Sequence, residues 1–226
     1  MVLLVGLAFA APLGPTGLLG RGVEVSAFTG GQTARLREPG CAGDGCLAWR
    51  ADTLVGGEVG VGLAKPIGLY AHGAWVRETV AAAHYEADGY AFGGGVRGAV
   101  PLGALAGIHG WVGLEHQLTA GDDLKERASA WQLDGGLVLR GGRPDEGLQA
   151  WVGVGFVPWS TQGATVLDGA VDLTLAPQLP AEGVAGVMLS SDALFGPWDD
   201  RTRLAAGVTG TVGYRTGITG FVSLLY

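Results

Sequence analysis

The chain has no asparagine, only two lysines (Lys65 and Lys125), two cysteines and two methionines among 226 residues. Without Asn there is no acceptor for N-linked sugar and no site built on an Asn side chain. With 14 Lys plus Arg against 21 Asp plus Glu, the formal net charge is −7. Phosphate recognition needs clustered cations, so nucleic acid is excluded as a partner class. Long hydrophobic runs are missing too. The uncharged stretch from Gly98 to Leu114 is broken by Pro101 and several glycines, so it does not read as the roughly 20-residue apolar helix a bilayer demands.

What is abundant is glycine, 43 residues, inside a chain that is 48% hydrophobic. Gly within a helix costs about 1 kcal/mol relative to Ala, so apolar segments this rich in it are poor helices and point to strands. An apolar protein without spanning helices has one other way to sit in lipid. A closed barrel pairs every backbone N–H and C=O internally and shows the bilayer one face of strands whose hydrophobicity alternates.

Period two is easily read. Leu204, Ala206, Val208, Gly210, Val212 and Tyr214 alternate with Ala205, Gly207, Thr209, Thr211 and Gly213. The same alternation separates Val55, Val59, Val61 and Leu63 from Glu58, and Tyr90, Phe92, Val96 and Val100 from Arg97. Ile108, Val112, Leu114 and Leu118 oppose His109, Trp111, Glu115 and Gln117, while Trp131, Leu133, Leu137 and Leu139 oppose Gln132, Asp134 and Arg140. Leu148, Val152, Val154 and Phe156 oppose Gln149, Gly153 and Gly155. Strands near Val23 to Thr29 and Leu69 to Thr79 have no clear inward face, and the register of Gly163 to Ser190 is open. Basic side chains near the bilayer midplane on the lipid face cost about 2–4 kcal/mol, which assigns Glu58, Arg97, His109, Glu115, Asp134 and Arg140 to the lumen as a side-chain plug.

The links support the same plan. Lys65 to Gly68 and Pro101 to Ala104 are short and rich in turn formers, whereas Ala34 to Asp52, Ala81 to Gly89 and Thr119 to Arg127 are longer and acidic, an alternation expected of tight periplasmic turns and longer outer loops. The expected fold is all-β: one transmembrane antiparallel up-and-down barrel of about ten strands, within a range of eight to twelve. It occupies residues 11–226, and the apolar stretch 1–10, ending in Ala8-Phe9-Ala10, reads as a signal peptide although it lacks an early basic residue. In an exported protein Cys41 and Cys46, bracketing Ala-Gly-Asp-Gly, read as a disulfide staple of the first outer loop.

The final segment places Ile218, Val222, Leu224 and Tyr226 on one face and ends on an aromatic residue. It resembles the terminal strand of bacterial outer-membrane barrels, and the overall plan is similar to small barrels such as the outer-membrane protein A transmembrane domain. The resemblance is architectural and spans nearly the whole mature chain. It implies an outer-membrane location, with membrane lipid and the barrel-assembly machinery as partners. Oligomeric state is not implied. Trp75, Tyr90, Trp131, Trp159, Tyr214 and Tyr226 would then supply interfacial girdles.

Signatures of chemistry are sparse. Gly93 to Gly98 satisfies G-x-G-x-x-G but continues into Ala99-Val100-Pro101 instead of opening a helix, which removes the dinucleotide reading. P-loop, zinc-protease and nucleophile-elbow motifs are absent. No cofactor or metal is expected. The preferred reading is a non-enzymatic barrel with a structural, adhesive or narrow-channel role. Two alternatives are a barrel hydrolase acting on lipid or peptide through a rim histidine, His84 or His116, and a soluble exported barrel binding an apolar ligand.

Overall fold

The computed structural model describes residues 22–37, 47–64, 66–80, 85–121, 128–142, 147–166, 169–173, 181–190, 202–213 and 215–225. The signal stretch 1–10, Cys41, Cys46, His84, Tyr214 and Tyr226 lie outside them. The elements are β1 (Gly22–Arg37), β2 (Leu47–Ala64), β3 (Ile67–Val80), β4 (Tyr85–Pro101), β5 (Ala106–Ala120), β6 (Ala128–Gly141), β7 (Leu148–Val166), β8 (Gly169–Leu173), β9 (Ala181–Ser190), β10 (Arg203–Gly213) and β11 (Arg215–Leu225). Each strand pairs antiparallel with its neighbours, and the pairings β6–β7 and β1–β11 close the sheet into a ring of ten strands. The eleventh, β8, pairs along the far half of β7, through Gln162 to Val166. The nearer half of β7, from Leu148 to Phe156, pairs with β9.

In a closed ring no long edge is left to template aggregation, and that closure depends on β1 meeting β11. Glu24 opposes Leu225 and Ala34 opposes Arg215, so the first strand begins and the last strand finishes at one rim, called here the terminal rim. The tight β2–β3 and β4–β5 links lie at that rim. The regular alternation of short and long links does not extend to the last strands. There the long stretch between Ser190 and Arg203 falls at the terminal rim, and β10 joins β11 at the far rim through Tyr214 alone. Gly213, at φ +141°, supplies the backbone conformation this tight connection needs.

Alternation along the strands sorts the side chains as the pleat dictates. Glu24, Ser26, Phe28 and Gln32 of β1 are buried inside while Val23 and Val25 are exposed, which resolves the face that its mixed composition left open. In β3, Tyr70, Val76 and Glu78 are buried and Leu69 is exposed. β7 interrupts its own alternation: Leu133 opposes Trp159 and Gly135 opposes Phe156, so an extra residue beside Pro158 forms a bulge. The bulge turns Trp159 outward, where unbroken period two would have aimed it inside.

The interior explains the glycine. Its large side chains lie flat across neighbouring strands, and each needs a position without a Cβ beneath it. A Cβ at Gly136 would overlap the Trp111 ring, one at Gly186 the Trp151 ring, and one at Gly113 the Tyr70 hydroxyl. One at Gly207 would come within 2.5 Å of Phe221. Phe28, Tyr70, Trp111, Trp151, Met188 and Phe221 thus belong to one buried cluster inside the barrel.

Candidate functional site

The six lumen residues expected from the sequence all sit on inward positions of β2, β4, β5 and β6. Glu58, His109, Glu115, Asp134 and Arg140 are buried, and the Arg97 side chain is 12% exposed. Four of them, Glu58, Arg97, Glu115 and Asp134, take part in two clusters of contacts, and Glu24, His72, Glu182 and Arg215 join the buried interior beside them.

Arg97 is the hub of the first cluster. Its Nη2 donates to Glu24 Oε2 at 2.8 Å and its Nη1 to Glu58 Oε1 at 2.9 Å, so one guanidinium spans carboxylates from β1 and β2. The guanidinium has room because Gly60 lies beneath it; a Cβ there would overlap Nη2. Glu24 is fully buried and its hydroxyl neighbour Ser26 bonds Ser223 of β11 at 2.7 Å, tying this cluster to the closing seam. In the second cluster His72 Nε2 lies 3.0 Å from Glu115 Oε2, with Tyr70 stacked beyond His72. Asp134 accepts from Trp111 Nε1 at 3.3 Å. The third joins β9 to β11: Arg215 Nε donates to Glu182 Oε2 at 2.8 Å and its Nη2 to the other carboxylate oxygen, a bidentate pair with both side chains almost wholly buried.

Glu24, His72, Glu182 and Arg215, like the buried Asp52 and Glu78, are not assigned to the interior by the sequence pattern. Glu24 and His72 fall on the two strands whose inward face the sequence left ambiguous. Arg215 was within reach: period two carried back from Ser223, Phe221 and Thr219 arrives on it. Glu182 belongs to the region whose register was open. Among the described residues no group of three His, Cys, Asp or Glu side chains is arranged to hold a metal ion.

The outer face has the opposite character. Val23, Val25, Val59, Leu69, Val96, Ile108, Val112, Leu137, Val152, Val187, Val208 and Val222 are all exposed there. Of the terminal-strand residues, Ile218 is 65% exposed and Val222 and Leu224 share its face. Outward-facing charge among the described residues gathers toward the far rim, where Arg77 and Asp88 form an exposed pair at 3.0 Å and Glu86 is also exposed. Just below them the aromatic residues Trp75, Tyr90, Trp131 and Trp159 face outward, and Arg77 packs 5.6 Å from the Trp75 ring centre. His116 is on the outer face as well.

No family model and no curated protein matches the chain. Among solved structures it is similar to the translocator domain of the autotransporter NalP from Neisseria meningitidis, at a TM-score of 0.46 and 15% identity over 92% of this chain and 88% of that one. It is also similar to the transport unit of the autotransporter AIDA-I from Escherichia coli, at a TM-score of 0.48 and 12% identity over 91% and 90%. An outer membrane channel from Pseudomonas putida gives 0.48 and 8% identity over 96% and 99%. At these values no activity passes from those proteins to this one. By its own strand pairing, the chain is a closed, antiparallel, up-and-down barrel of ten strands, with charged and aromatic side chains among the buried residues of its interior.

Proposed function

We propose that this protein spans the bacterial outer membrane as a plugged barrel whose role is structural or adhesive, with the links of its far rim making the contacts. One observation carries the reading: the described outer wall is predominantly apolar from the terminal rim up to Arg77 and Asp88, interrupted by His116. On β5 the outward positions Ile108, Val112, Leu114 and Leu118 are apolar, with Gly110 and His116 between them. Ten residue steps at about 3.4 Å each, tilted by roughly 40°, span about 26 Å, the height of the apolar band of such barrels. A soluble barrel binding an apolar ligand needs a polar wall and an apolar cavity. Here polarity runs the other way.

The buried ion pairs and the aromatic cluster favour a plug over an open channel, since a barrel of this size is just wide enough for side chains to fill. Membrane lipid then faces the wall. The outward row of Ile218, Val222 and Leu224, continued in sequence by Tyr226, is the segment offered to the assembly machinery. The test is membrane fractionation of expressing cells, with gel mobility of the unboiled protein and single-channel recording in planar bilayers. Recovery in the outer membrane, altered mobility on boiling and no steady conductance are expected. Recovery as a detergent-independent soluble protein refutes the reading.

A further inference from the structure

We propose that Ser129 and His116 form a nucleophile and base pair on the outer wall, acting on acyl esters of outer-leaflet lipid. The inference rests on the membrane placement above and adds an activity to it. His116 Nε2 and Ser129 Oγ are 2.9 Å apart, although thirteen positions separate them in the chain. The β5–β6 ladder brings them together by placing His116 opposite Trp131, two residues from Ser129. Both face outward. The imidazole is clamped by aromatic rings, stacked on Trp131 at 4.1 Å and 20° and met edge-on by Phe92 at 5.1 Å and 81°.

Among the described residues, His116 and the Tyr90 phenol are the ionisable side chains that face outward between the terminal rim and the Arg77, Asp88 and Glu86 level. An imidazole is costly against lipid and marks a functional site together with its partner. Its depth is informative. Ser129 is the second residue of β6 at its far-rim end, beside the exposed rings of Tyr90 and Trp131, where the hydrocarbon gives way to headgroups. Ester carbonyls of the lipid lie at that boundary, and water reaches it.

The chemistry balances with water as co-reactant. His116, in the tautomer with its hydrogen on Nδ1, takes the Ser129 proton at Nε2 as Oγ bonds to the ester carbonyl carbon. The carbon–oxygen bond to the lipid alcohol breaks, and Nε2 returns the proton to that leaving oxygen. Water then attacks the acyl-serine, passing its proton through His116 to Oγ, and a fatty acid departs.

The experiment uses the full chain in vesicles of phosphatidylethanolamine and phosphatidylglycerol, and in parallel vesicles containing lipid A, with fatty-acid release read by mass spectrometry. A fluorophosphonate probe is mapped by peptide mass spectrometry. Ser129→Ala and His116→Phe, the latter keeping a ring on Trp131, are compared with the parent, and gel mobility reports folding and insertion. Expected are a fluorophosphonate adduct on Ser129 and release in one of the two lipid arms, which identifies the ester. Release should fall about 100-fold or more in each variant with unchanged mobility. A folded, inserted protein that releases nothing in either arm overturns this proposal alone, as does release insensitive to both substitutions or an adduct elsewhere. Failure to insert overturns the membrane reading and this proposal with it.

Discussion

Replacing Arg97 with Met isolates the role of the lumen cation, because Met keeps much of the stem and removes only the charge. In the parent, the guanidinium sits 2.8 Å from Glu24 and 2.9 Å from Glu58, whose side chains are 0% and 1% exposed. With charge centres about 4 Å apart and an effective dielectric constant near 20, each pair attracts by roughly 4 kcal/mol, offset by the cost of taking three charges out of water and by repulsion between the two carboxylates. Removing the shared cation takes away two charge-assisted contacts from these buried carboxylates, and the net loss expected for breaking a buried pair is about 3–5 kcal/mol. The assay is reversible urea unfolding in lipid vesicles, followed by tryptophan fluorescence and by gel mobility. The triple substitution Arg97→Met with Glu24→Gln and Glu58→Gln neutralises the two buried carboxylates as well and should recover all but about 1 kcal/mol. A loss below about 1 kcal/mol for Arg97→Met, or a triple variant no more stable than the single one, would refute the argument. Steady conductance in the Arg97→Met protein would agree with a plug that has been loosened.

Gly60→Ala places a methyl where the Arg97 guanidinium lies, so it should destabilise the barrel by about 1–3 kcal/mol, and the loss should shrink in an Arg97→Met background. Val112→Arg, at mid-height on the outer wall, should cost about 2–4 kcal/mol in vesicles, whereas Thr216→Arg at the far rim should cost about 0–1. Equal effects at the two depths would contradict the membrane placement. Thiol labelling of the unreduced, unfolded protein should find neither Cys41 nor Cys46 reactive, and reduction should expose both; labelling before reduction would remove the staple.

The outward faces of β2, β4, β5, β6 and β10 were legible along the chain because the pleat repeats every two residues and the partition between lipid and interior acts on each residue where it stands. That same reasoning assigned Glu58, Arg97, His109, Glu115, Asp134 and Arg140 to the inside before any partner was known. It stalled on β1 and β3. There the inward rows mix Phe28 or Tyr70 with Glu24 or His72, and composition by itself could not rank the two faces. β7 shows where the rule itself gives way, since the bulge beside Pro158 reverses the facing of Trp159.

The sequence by itself determined the strand-rich class, the approximate strand number and the charged interior, all consequences of interactions local to a strand and its surroundings. Only the tertiary structure decided who meets whom. Arg97 reaches Glu24 and Glu58 across 73 and 39 positions, and His116 finds Ser129 across 13. Those meetings depend on the register between strands and on the closure of β1 against β11. Register is a property of the whole ring: a slip of one residue would leave each strand's alternation intact in the sequence while turning every partner away.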